Sequence, residues 1–165
     1  MTILLEANES GRLWTEDPEG WKRLLTPEGC PMCGEDPHPE WLLAETELCR
    51  ISAWSEAVLP GYACVLSKRH VIEPFELAEA EQAAFFFDCM AVARGLAKLF
   101  DSVKMNYEIH GNTVPHLHMH LFPRTPDDVY VGYPNHCRAR FMRSEEEIAL
   151  MRKAVRAQLS QRLIS

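Results

Sequence analysis

Residues 115–124, PHLHMHLFPR, set three of the chain's seven histidines at every second position: His116, His118 and His120. In an extended strand successive side chains point to opposite faces, so these three share one face while Leu117, Met119 and Leu121 share the other. The apolar row can anchor in a core, and the imidazoles then stand ~7 Å apart along one exposed groove. Three readings are open. The rings are polar side chains facing solvent, or ligands of a catalytic zinc that lowers the pKa of bound water, or a nucleophile and its neighbours. In the last case one ring attacks a phosphoryl group and the others donate hydrogen bonds to its oxygens. A neutral imidazole, with an ordinary pKa of about 6.5, is already a usable nucleophile at neutral pH.

A second cluster is CPMCG, with Cys30 and Cys33. Two thiolates at this spacing grip one metal, and Pro31 and Gly34 shape a tight knuckle whose amides can donate to sulfur. A redox pair would call for a thioredoxin-like βαβ pattern, which the chain lacks, and a plain pair of reduced thiols is the remaining alternative. His38 is close enough in sequence to be a third ligand. The other cysteines, Cys49, Cys64, Cys89 and Cys137, are scattered singly and read as small buried hydrophobes or free thiols of a reducing compartment.

Behind these residues stand short strands and two helices. WLLAE, ELCRISA and YACVLS read as strands of an antiparallel meander, with Pro60 and Gly61 at the sharpest reversal. Leu77 to Phe100 contains no proline, and Phe86, Met90, Ala93, Ala97 and Phe100 recur at helical spacing, which predicts a long amphipathic helix. Val103 to Ile109 reads as a strand, HGNTVP as a loop, and the histidine run as a further strand ending at Pro123. Ser144 and Glu147 form a capping box before Ile148, Met151, Val155 and Leu159, one face of a C-terminal helix. The expectation is one domain over residues 1–165: an N-terminal extension with the CxxC knuckle over 1–39, a core over 40–125, and a tail and helix over 126–165.

With 17 Lys and Arg against 24 Asp and Glu, the net charge is −7, which argues against broad binding of nucleic-acid polymers. The start has no basic n-region, and nowhere do ~18 apolar residues run together, so no membrane association and a cytoplasmic location are expected. Lys68, Arg69 and Arg124 flank the groove in sequence and either attract a polyphosphate or are ordinary exposed charges at strand ends. Arg138, Arg140 and Arg143, with His110 and His136, carry no assignment.

GNTVPHLHMHLFPR resembles the signature of the histidine triad (HIT) family of nucleotide hydrolases and transferases, in which histidine alternates with apolar residues. LPGYACVLSKRHVIEPFEL resembles the strand and turn leading into that family's long helix, and MNYEIHGN resembles a bacterial branch of diadenosine polyphosphate hydrolase-like proteins. The resemblance covers roughly residues 30 to 125. It implies an α+β, HIT-like fold: a five-stranded antiparallel sheet with a long helix and a C-terminal helix, assembled as a homodimer. It also implies that His118 attacks the α-phosphorus of a nucleotide conjugate, giving a nucleotidyl-histidine that water resolves, with His120 on the phosphoryl oxygens and His116 supporting the site. Asn106, Asn112 and Thr113 match polar positions facing the phosphates, although Gly111 and Asn112 equally suit an ordinary turn. Some members carry CxxC near the start and complete a structural zinc site with residues that correspond here to His70 and His116. Two departures stand out: YEIHGN replaces a longer glycine-containing loop, and Trp54, Ser55 and Glu56 stand where a ribose-holding residue is expected.

The resemblance therefore implies an enzyme acting on a nucleotide substrate, either a dinucleoside polyphosphate or a nucleoside phosphoramidate. The alternatives are a nonenzymatic nucleotide-binding module and a zinc metallohydrolase that uses the triad as its metal site.

Overall fold

The computed structural model describes residues 13–34, 36, 38–128 and 141–161. His136, Cys137, Arg138 and Arg140 lie outside the described residues. Helix α1, Leu13–Glu16, is followed by α2, Pro18–Leu24, which starts where the side chain of Asp17 accepts the Gly20 amide at 2.8 Å and Pro18 supplies a preset φ. The rings of Trp14 and Trp21 meet edge to face at 5.1 Å and join the two turns of helix.

Strands β1 (Leu42–Glu45), β2 (Cys49–Ser52), β4 (Ala63–Ser67), β5 (Lys104–Ile109) and β6 (His118–Arg124) form one five-stranded sheet in the order β1-β2-β4-β6-β5, every pair antiparallel. The short β3 (Glu56–Ala57) pairs with β7 (Phe141–Met142) in a second, two-stranded sheet. The fold is α+β, as expected. Trp41 lies in a 3-10 turn, Pro39–Trp41, so the first strand begins one residue later than WLLAE suggests.

Between β3 and β4 the chain reverses at Leu59-Pro60-Gly61-Tyr62, where the Tyr62 amide donates to the Leu59 carbonyl at 3.2 Å. Proline at the second position and Gly61 at φ 73° are the signature of a type II turn. A Cβ on Gly61 would also stand 2.6 Å from the Phe100 ring, so both backbone conformation and space require glycine here.

The long helix α3, Glu79–Leu99, begins where the Glu81 carboxylate accepts the Ala78 amide at 3.0 Å. Its buried face includes the expected Ala93, with Ala97 and Phe100 packed against the core, and differs from the expected one in the first half of the helix. Phe85, Cys89, Val92, Ala93 and Leu96 enter the core, whereas Phe86 and Met90 are exposed. The run AAFFF puts apolar residues on every side of the helix, so spacing alone admits several stripes and packing against the sheet selects one. Helix α4, Glu145–Ser160, buries Ile148, Met151 and Val155. Ser144 caps it, accepting the Glu147 amide at 3.1 Å, but the reciprocal half of the capping box is replaced: the Glu147 carboxylate accepts the Gly61 amide at 3.3 Å and pairs with Arg143 at 3.3 Å.

Helices α3 and α4 cross closely at Gly95, where a Cβ would meet the Ala154 carbonyl oxygen at 2.9 Å. From α4, Arg152 and Arg156 donate to the Leu42 and Leu43 carbonyls, each at 2.9 Å, covering the outer strand β1. The core lies between these helices and one sheet face, and includes Leu43, Ile51, Val65, Met119 and Leu121. The other sheet face carries the chemistry. No helix among the described residues is long and apolar enough to cross a membrane.

Candidate active site

Strand β6 is short of the expected length at its start. His116 and Leu117 precede it, held by a Leu117 amide bond to the Val71 carbonyl at 2.6 Å and a Ser67 amide bond to the Leu117 carbonyl at 3.0 Å. The three histidines are consequently not one exposed row. His116 is wholly buried, His118 is buried and His120 is half-buried. The His118 and His120 rings meet edge to face at 4.7 Å, closer than ideal strand spacing suggests, while His116 meets His70 at 5.2 Å instead.

Each ring has a fixed tautomer or a defined free nitrogen. His118 donates from Nδ1 to the His116 main-chain oxygen at 2.6 Å, which leaves Nε2 unprotonated in the neutral ring. Burial holds its pKa below the ordinary histidine range, against the opposing pull of that carbonyl. His120 Nδ1 is 2.8 Å from the Tyr62 hydroxyl; with the hydroxyl donating, Nε2 carries the proton and serves as a donor. Burial, followed by the neighbouring His118 and His110, lowers the His120 pKa to about 3. The pair is thus a neutral ring with a free Nε2 lone pair beside a neutral hydrogen-bond donor.

Register shows what surrounds them. Leu66 opposes His118, Cys64 opposes His120, and on the other side Glu108 opposes His120 and Asn106 opposes Phe122. Asn106 and Glu108 therefore share the histidine face. Asn112 is exposed and Thr113 half-buried in the loop before the triad. The Tyr62 ring stacks on Phe122 at 4.8 Å, and Trp54 is tilted against Tyr62 at 5.9 Å. Trp54 is half-buried against this aromatic cluster.

The charges singled out in sequence take local partners. Lys68 pairs with Glu45 at 3.2 Å, Arg69 with Glu81 at 2.7 Å, and the buried Arg124 with Asp128. Arg143 is a buried latch. Its Nη1 donates to the Trp54 carbonyl at 2.8 Å, its Nη2 to the Tyr62 carbonyl, and its guanidinium lies 5.8 Å from the Tyr62 ring centroid.

The knuckle returns to the site from behind. The donor atoms of Cys30, Cys33, His70 and His116 lie within 4.8 Å of one another. Cys30 and Cys33 Sγ are 3.3 and 3.4 Å from His116 Nδ1, and Cys33 Sγ is 3.1 Å from His70 Nδ1. Sulfur and nitrogen on a tetrahedral zinc stand about 3.5 Å apart, given bond lengths of about 2.3 and 2.0 Å. His116 Nε2 donates to the Ser67 carbonyl at 2.8 Å, so its Nδ1 carries a lone pair toward the thiols. The donor set thus fits a structural Cys₂His₂ metal. Burial and the adjacent Cys30 push the Cys33 thiol up to about 12, a penalty that a bound cation removes by ligating the thiolate.

His38 does not join this group; it stacks on Trp41 at 3.8 Å and faces Glu40. Nor do the triad rings converge on one point. Only His116 enters the metal-capable cluster, which separates the two chemistries that sequence left entangled. Tyr62 and Glu108 are the residues that sequence reading missed; strand register, with Glu108 directly across from His120, is the signal that finds Glu108.

A family model described as HIT domain matches residues 36–127. The chain is 32% identical over 76 residues to bis(5'-nucleosyl)-tetraphosphatase (asymmetrical) of Schizosaccharomyces pombe, a match spanning 43% of this chain and 42% of that protein. A histidine triad protein of Sinorhizobium meliloti superposes with a TM-score of 0.66 at 25% identity, covering 76% of this chain and 96% of the other. A zinc-bound histidine triad family protein of Mycobacterium smegmatis does so with a TM-score of 0.62 at 23% identity, over 82% and 99% of the two chains.

Proposed function

This chain belongs to the HIT-domain family, and from that premise we propose that it is a nucleotide hydrolase or nucleotidyl transferase that works through a covalent nucleotidyl-histidine on His118. The observation that carries the reading is the bond from His118 Nδ1 to the His116 carbonyl, which leaves Nε2 with its lone pair in a buried, uncharged ring. The kinship with a dinucleoside tetraphosphatase supports a substrate with a phosphoanhydride or related bond at the α-phosphate.

In the first step His118 Nε2 bonds to the α-phosphorus and the bond to the leaving group breaks. His120, with Nδ1 held by Tyr62, donates from Nε2 to a phosphoryl oxygen as charge develops there, a contribution of about 3 kcal/mol. Asn106, Asn112 and Thr113 line the approach of the phosphates, and Trp54 offers a face for the base. Water then breaks the nitrogen–phosphorus bond and frees His118. His116 acts from behind through its main-chain oxygen. The metal held by Cys30, Cys33, His70 and His116 would be zinc, tying the knuckle to the strand that carries the nucleophile. The protein would act in the cytoplasm as a homodimer, and sedimentation at micromolar concentration tests the assembly.

Hydrolysis of a dinucleoside polyphosphate in ¹⁸O-water tests the reaction. The label is expected in the nucleotide released from His118, with none in the first leaving group, and turnover is expected to vanish in His118→Ala. Unchanged turnover in that variant would contradict the reading.

A further inference from the structure

One histidine near the site has no part in that account. His110 lies just past the end of β5, and its ring is 5.5 Å from that of His120. Its Nε2 is 3.0 Å from Oε2 of Glu108, the residue directly opposite His120 in the β5–β6 ladder. A carboxylate only accepts hydrogen bonds, so Nε2 carries a proton, and Nδ1 is left as an acceptor in the neutral ring or a second donor in the charged one. The His110 side chain is 55% exposed whereas Glu108 is 23% exposed, so the dyad runs from the half-buried sheet face toward solvent. A positive charge on His110 would oppose protonation of both His118 and His120.

We infer that His110, oriented by Glu108, is the general acid and base of the reaction, serving the leaving group first and the attacking water second. The inference rests on the proposed nucleotidyl-histidine. His118 and His120 have no proton to give the departing group without losing the roles just described. In the first step the His118 nitrogen–phosphorus bond forms, the bond from phosphorus to the leaving oxygen or nitrogen breaks, and that atom takes a proton from His110 imidazolium. In the second, the neutral His110 takes a proton from water as the water oxygen bonds to phosphorus and the nitrogen–phosphorus bond breaks. The imidazolium is thereby restored. Glu108 offsets its charge and holds the ring so that one nitrogen always faces outward.

The class of substrate follows from this arrangement. A neutral or weakly acidic leaving group, such as an amine or an alkyl or aryl alcohol on the nucleotide phosphate, needs a proton to depart. A polyphosphate does not. The dyad therefore extends the site toward phosphoramidates and simple nucleotide esters.

The test uses adenylate esters of phenols graded in acidity together with adenosine 5'-phosphoramidate, on the full chain and on H110Q and E108Q. H110Q is expected to lose about 100-fold in kcat on the least acidic leaving groups and far less in the first step on p-nitrophenol. With the p-nitrophenyl ester it is expected to accumulate nucleotidyl-protein, visible by intact mass, because the water step lacks its base. E108Q should fall in the same order through kcat with KM unchanged. H110Q turning over every ester within about twofold of the parent, with no accumulated adduct, would overturn the inference while leaving the His118 reading intact. A parent giving neither adduct nor turnover on the whole series would sink both.

Discussion

The His118 imidazole hangs from the main-chain oxygen of His116 by a 2.6 Å hydrogen bond, and the His116 ring reaches the opposite way, 3.3 Å from Cys30 Sγ. His118 and the thiol knuckle are therefore linked through one residue, 86 positions in sequence from the knuckle's first cysteine.

If the knuckle holds zinc as proposed, that link makes metal content a structural variable. C33S is expected to reduce bound zinc from one per chain to a small fraction, measured by elemental analysis. At a hundredfold excess of metal over its Kd the parent gains about 2.7 kcal/mol that the variant lacks, a difference read from urea midpoints with and without added zinc. Equal zinc content in both proteins would contradict the ligand assignment.

Tyr62 holds His120 without reaching the substrate in this account. Y62F removes one neutral hydrogen bond, worth about 1 kcal/mol, so kcat should fall by about fivefold. His120→Ala removes the donor itself and should cost about 3 kcal/mol of barrier. Steady-state rates on one dinucleoside polyphosphate decide the order; a Y62F loss as large as that of His120→Ala would point to a collapsed aromatic cluster.

Arg143, just before α4, holds the chain on both sides of β3 through the Trp54 and Tyr62 carbonyls, and pairs with Glu147 of α4. Arg143→Met leaves the Trp54 and Tyr62 carbonyls without this donor and Glu147 without its cation, and should destabilise by about 2–4 kcal/mol. The urea midpoint measures this, and a shift near zero would remove the latch from the account.

His120 also predicts a dependence of stability on pH. Its folded pKa, lowered to about 3, lies below the unfolded value of about 6.5. The unfolded chain thus binds the extra proton, and stability falls as pH drops from 6.5 toward 3. The slope from this group is up to about 1.4 kcal/mol per pH unit. Chemical denaturation of the parent and H120N across this window should show the parent losing stability more steeply; parallel profiles would contradict the neutral ring.

Much of this arrangement was legible in local pattern. Alternation in PHLHMHLFPR gave a strand with an apolar row in the core, and Pro60-Gly61 gave a turn whose type needs glycine at its third position. The CxxC spacing suggested a knuckle that could hold a metal, and the family resemblance supplied His70 and His116, whose donor atoms do gather around it. What escaped depends on tertiary packing. The first half of the helix stripe shifted by one residue, to Phe85 and Cys89, because Phe85, Phe86 and Phe87 offer the core equivalent choices, while Ala93, Ala97 and Phe100 face it as expected. His116 left the row of imidazoles because the backbone of the adjacent Leu117 is tied to Val71 and Ser67 and the His116 ring donates to the Ser67 carbonyl, contacts about 50 residues away that no local period encodes. Glu108 and His110 became visible only through the pairing of β5 with β6.

The central claim is covalent transfer to His118, and the direct measurement is intact-protein mass after brief incubation with an adenylate ester, quenched under mild conditions, for the parent and His118→Ala. The account predicts a transient gain of one adenylyl unit in the parent and none in the variant. Continued hydrolysis with no adduct in the parent at any quench time, or an adduct that survives in the variant, would contradict it.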